Sequence, residues 1–96
     1  MTITHKEKFE HLLQILRAHF QPTQIYLFGS RANDSARPES NYDLLLIVEN
    51  SDQTRLERMQ EASGLMIRNQ IFLPADIIVY TQKEFQMRRE LFGSVA

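Results

Sequence analysis

The chain has no cysteine and no tryptophan, and only three glycines and three prolines in 96 residues. Without cysteine there is no disulfide framework, no thiolate zinc site and no thiol nucleophile. So few glycines and prolines exclude a low-complexity or collagen-like chain. Neither sign of charge dominates: 11 Lys and Arg stand against 12 Asp and Glu, a formal net charge of -1. That balance argues against a nucleic-acid binder held by bulk charge, although a local basic patch remains compatible with it. Long apolar runs are missing too. The longest, Leu44 to Val48, is far too short to span a bilayer. The first residues, Met1 to Lys8, lack the apolar stretch of a signal peptide, so a cytoplasmic location is expected. What is present is ordinary for a folded chain: 43% hydrophobic and 24% charged residues. The length corresponds to one domain, residues 1–96, with a modest core.

Local patterns divide the chain into alternating elements. Thr4-x-x-Glu7 has the form of a capping box, and Phe9, Leu12, Leu13, Leu16 and Phe20 follow at helical spacing. Pro22 ends that helix, because the residue before proline is driven out of the helical region. All three histidines (His5, His11, His19) fall here, none four residues from another, so they form no metal pair on one helix face. Gln24 to Phe28 reads as a strand. Arg31 to Asn41 is rich in turn formers and reads as a short helix or turn plus a loop. Tyr42 to Val48 is apolar enough for a strand buried on both faces. Thr54-x-x-Glu57 opens a second helix, with Leu56, Met59, Ala62 and Met66 as its expected inner face. Ile71 to Leu73 reads as a brief extended stretch before Pro74. Asp76 to Tyr80 is a third strand. Thr81-x-x-Glu84 opens a last helix running to about Leu91, with Phe85 and Leu91 inward and Gly93 at its C-terminus. The order describes a layered helix-and-sheet domain without repeats.

Three features carry chemistry. In Leu27-Phe28-Gly29-Ser30-Arg31, a glycine after a strand lets backbone approach a ligand, and a helix starting at Ser30 would offer free amides to a phosphate. Taken alone, Gly-Ser is as well a simple turn. In Asn41-Tyr42-Asp43, residues two apart in a strand share a face, so both side chains can reach one magnesium ion or two held close together. The plain alternative is a polar loop entering a strand. Asp76 opens an apolar strand; it is either solvent-exposed there or, if its strand neighbours Tyr42 to Val48, a carboxylate sharing metal with Asp43.

Together, Gly29-Ser30, ten intervening residues, Asn41-x-Asp43 and a later strand acid resemble the minimal nucleotidyltransferase domain of the DNA polymerase beta superfamily. That family's pattern is Gly-Ser, ten residues, Asp-x-Asp, and a third Asp on an adjacent strand. The wider strings Phe28 to Ala32, Arg37 to Leu45 and Thr81 to Ser94 also follow it. The resemblance implies an α/β (α+β) nucleotidyltransferase fold, a small mixed β-sheet with helices packed against it. It implies ATP as nucleotide substrate with Gly29, Ser30 and Arg31 at its phosphates, Mg2+ as cofactor, and Asn41, Asp43 and Asp76 as metal-binding and catalytic positions. Arg37 is a further candidate for phosphate charge, or a solvated loop arginine. Proteins of this kind are often paired with a HEPN-domain toxin, acting as antitoxin by adding AMP to a tyrosine of the partner. The expected partners are therefore a HEPN-type toxin and a nucleoside triphosphate, in a homo- or hetero-oligomer, with no membrane and no nucleic acid. One position departs from the pattern: Asn41 stands where the family has the first Asp of its pair. An amide keeps an oxygen but loses the charge that magnesium prefers, which implies weakened metal binding and impaired activity.

Overall fold

A computed structural model describes residues 5–28 and 41–88. Helix α1 (His5–Phe20) leads into strand β1 (Gln24–Phe28). Strand β2 (Tyr42–Val48), helix α2 (Arg55–Arg68), strand β3 (Ala75–Thr81) and helix α3 (Gln82–Arg88) follow. The strands form one mixed sheet in the order β1-β2-β3, with β1 antiparallel and β3 parallel to β2. The apolar run Leu44 to Val48 is thus the central strand, buried throughout. The expected cap at Thr4, the short helix or turn of residues 31–41 up to Ser40, and Leu91 and Gly93 lie outside the described residues.

The two sheet faces have separate cores. On one, Tyr42, Leu44, Leu46 and Val48 of β2 and Ile77 and Val79 of β3 meet Leu12 and Leu16 of α1 and Ala62 and Leu65 of α2. Phe9 stacks on Tyr42, ring centroids 4.5 Å apart. His19 reaches Glu61 of α2 at 3.1 Å, a link between helices rather than a metal ligand set. The other face is smaller: Leu45, Ile47, Tyr80 and Phe85, with Tyr26, Phe28 and Ile78 packed at its edge.

Both expected capping boxes within the described residues are present. Thr54 N–H donates to Glu57 Oε1 (2.8 Å) and Glu57 N–H to Thr54 Oγ1 (3.1 Å). Thr81 N–H donates to Glu84 Oε1 (2.8 Å) and Glu84 N–H to Thr81 Oγ1 (3.2 Å). Each pair satisfies two backbone donors that a helix start leaves free.

The inner face of α2 is the expected one only in part: Ala62 is buried and Met66 packs against the core. Leu56 and Met59 are 62% and 40% exposed, whereas Arg58, Ala62 and Leu65 are buried. The physical reason is Arg58, whose guanidinium is fully partnered where it is buried. It donates to the Val79 carbonyl (2.5 Å), twice to the Gln53 carbonyl, and in a fork to both oxygens of Glu84 (2.7 and 3.1 Å). Apolar spacing cannot anticipate a buried arginine whose partners come from three separate segments. Ile71 and Leu73 are buried but form no strand; the chain there turns through Gln70 (φ 56°) and only joins the sheet at Ala75.

Candidate functional site

The site is built where β2 and β3 begin and β1 ends. In the parallel pair, Asp43 is registered with Asp76; in the antiparallel pair, Phe28 is registered with Asp43. Residues opposite one another in adjacent strands point to one face. The carboxylates therefore stand side by side on the sheet face that carries Leu45, Ile47 and Tyr80, just beyond the apolar part of that face. Asp43 is half-buried and Asp76 exposed. Asn41 sits one residue before β2, and its Nδ2 donates to Asp76 Oδ2 at 2.9 Å. The three positions singled out in the sequence are thus brought together, although Asn41 and Asp76 are 35 residues apart.

The electrostatics match this crowding. The Asp43 carboxyl is pushed above its ordinary value, first by burial and second by the negative charge of Asp76. Both causes disfavour a bare carboxylate pair, and both would be relieved by a cation between them. A groove of about 390 Å³ lies over the pair, lined by Phe28, Asp43, Asp76, Ile78, Met59 and Ser63. Among the described residues no three His, Cys, Asp or Glu side chains come together to hold a metal. The donor set is two carboxylates and an amide oxygen. Magnesium is commonly held by one or two carboxylates plus substrate phosphates, so this set fits one ion at reduced charge.

Gly29, Ser30 and Arg31, with Arg37, lie outside the described residues. What is described is their anchor: Phe28, which precedes Gly29 in the chain, is the residue paired with Asp43. The sequence reading missed the flank of the site formed by Met59 and Ser63 of α2. No sequence signal marks them: the apolar spacing places Met59 on the inner face, and only the structure turns it outward.

The family model "Polymerase beta, Nucleotidyltransferase" matches residues 10–96. The chain belongs to the polymerase beta nucleotidyltransferase family. Its small α+β architecture, with a three-stranded mixed sheet, agrees with a nucleotidyltransferase fold. Membership gives this nucleotidyltransferase domain a function of that type, and the paired acids fall within the matched segment. No curated protein and no solved structure gives a significant match. Among the described residues, no helix is long and apolar enough to cross a membrane.

Proposed function

We propose that this domain transfers AMP from ATP to a hydroxyl of a protein partner, a tyrosine of a HEPN-type toxin, and so acts as its antitoxin. The observation that carries the transferase reading is the register of Asp43 with Asp76 on one face, beside the strand end that leads into Gly29-Ser30. Asp43, Asp76 and Asn41 Oδ1 are the groups that would hold Mg2+; Gly29, Ser30 and Arg31 would meet the phosphates. A bound magnesium ion supplies positive charge that polarises the α-phosphate and neutralises departing pyrophosphate. The chain's own residues do the rest. Asp76, the more exposed acid, accepts the proton of the acceptor hydroxyl. The acceptor oxygen then bonds to the α-phosphorus, the bond from that phosphorus to the bridging oxygen breaks, and pyrophosphate leaves. Asp43 is positioned by the central strand, with Phe28 and Met59 forming walls of the groove beside it.

Asn41 favours a second reading beside the first. Its amide already hydrogen-bonds Asp76, partly doing for that carboxylate what a cation would do. A domain satisfied in this way can neutralise its toxin by contact, with little or no transfer. The deciding experiment is to co-express the chain with a HEPN-type partner, purify the pair, and weigh the partner. Added AMP that increases with Asn41→Asp supports transfer. Toxin protection that survives Asp43→Ala, with no mass added, supports neutralisation by contact. Failure to capture any HEPN-type partner would count against both.

A further inference from the structure

The groove over Asp43 and Asp76 does not end at the acids. A second hollow of about 330 Å³ adjoins it, lined by Arg55, Leu56, Met59, Ile78 and Tyr80. Met59 and Ile78 line both, so the two form one trough along β3 and the exposed side of α2. Tyr80 lies four positions along the strand from Asp76, about 13 Å when extended. The trough is bipolar. Carboxylates occupy one end, the aliphatic side chains of Leu56, Met59 and Ile78 the middle, and Arg55 the other end, where Arg88 also stands beside the Tyr80 ring. The guanidinium carbons of Arg55 and Arg88 lie 5.8 and 5.9 Å from the Tyr80 ring centroid. Neither arginine makes an ion pair among the described residues, whereas Arg58 of the same helix is paired with Glu84.

This arrangement is selective about its occupant. Two arginine forks without a carboxylate partner among the described residues match an incoming carboxylate. The Tyr80 ring, buried and attended by both arginines, offers no open face for a nucleobase to stack on. The exposed Leu56 and Met59 match apolar side chains. We infer that the trough is the docking surface for an extended segment of the acceptor protein, with its reactive hydroxyl at Asp76, apolar side chains against Leu56 and Met59, and a carboxylate about four residues away against Arg55 and Arg88. The inference rests on the transfer reading above, because that reading places the acceptor hydroxyl at Asp76. It also assigns a purpose to the outward turn of α2. The helix spends an arginine on its buried side and leaves leucine and methionine outside, facing the trough.

The test measures docking rather than transfer. The probe is a fluorescein-labelled peptide with one tyrosine, leucines, and a glutamate pair about four residues from the tyrosine; a matched peptide carries lysines in place of the glutamates. Fluorescence anisotropy with the whole chain should show the acidic peptide bound and the lysine peptide weaker by on the order of tenfold. The double variant Arg55→Glu with Arg88→Glu should reverse that preference. Leu56→Ser with Met59→Ser should weaken both peptides, and Phe72→Ser, an exposed position away from the trough, should change neither. Circular dichroism of each variant, matching the parent chain, establishes that the loss is not unfolding. Equal affinity for the two peptides, or an arginine double variant that binds as the parent does, overturns the inference. So does a short single-stranded oligonucleotide that binds tightly and is lost in the arginine variant, which would make the trough a nucleic-acid surface. AMP transfer to a generic tyrosine acceptor without any peptide preference would sink this inference alone. Peptide binding without transfer leaves docking standing and removes the catalytic reading.

Discussion

The two faces of the sheet serve different ends. Under α1 and α2, inward positions of β2 and β3 from Tyr42 and Ile77 onward are apolar and buried. Under α3, the apolar set is confined to Leu45, Ile47, Ile78 and Tyr80, and the same alternation continues back to Asp43 and Asp76. One face is closed along its length; the other is closed at one end and open at the acids. The lesson is a division of labour within a small sheet. Because the α1/α2 face supplies most of the buried apolar area, the opposite face can keep two like charges together, at a cost visible in the raised Asp43 carboxyl.

Substitutions on the two faces should therefore separate activity from stability. The largest expected effect is on the open face. Restoring the acid with Asn41→Asp should raise transfer, and removing Asp43 from that variant should lower it again, on the order of a hundredfold or more, read as AMP incorporated per minute. A change of Tm in step with the loss would blur the division. Next comes the closed face. Leu46→Ala, at a position with no exposed surface, should cost about 4 kcal/mol of unfolding free energy in denaturant titration. The Arg58 fork joins the faces at the edge of β3. Arg58→Ala should cost about 3 kcal/mol, since it leaves Glu84 with only the Thr81 amide and takes a donor from the Val79 and Gln53 carbonyls.

The same fork makes stability depend on acid. Arg58, foremost, holds the Glu84 carboxyl down at about 2 against an ordinary value of 4.5. A depressed carboxylate stabilises the fold fully above pH 4.5, and that contribution is lost as pH falls towards 2. Tm measured across that window should fall less in Glu84→Gln than in the parent chain. The smallest effect should be a gain. Asp43→Asn removes a carboxylate whose charged form is disfavoured by burial and by Asp76, so its Tm at neutral pH should rise slightly. A fall instead would mean that Asp43 helps hold the sheet together.

Much of the fold is legible in the chain because its signals are local. Two capping boxes at Thr54 and Thr81 mark helix starts through contacts three residues apart, and both form. The central position of β2 follows from its unbroken apolar run. The α2 face was legible only at Ala62 and Met66, because Arg58 is buried through partners at residues 53, 79 and 84. The site was legible as residue types: Asn41, Asp43 and Asp76 stood out by pattern, while Met59 and Ser63 did not.

By itself the sequence determined the order of the described elements, the starts of α2 and α3, and the presence of an amide rather than an acid at position 41, since each depends on neighbours in the chain or on composition. Only the tertiary structure decided that Asp76 lies opposite Asp43, that Asn41 donates to Asp76, and that the exposed side of α2 continues the groove from the acids to Arg55. Strand order and helix rotation are set by packing between residues distant in sequence. No local spacing encodes which of several apolar faces will be the one that is covered.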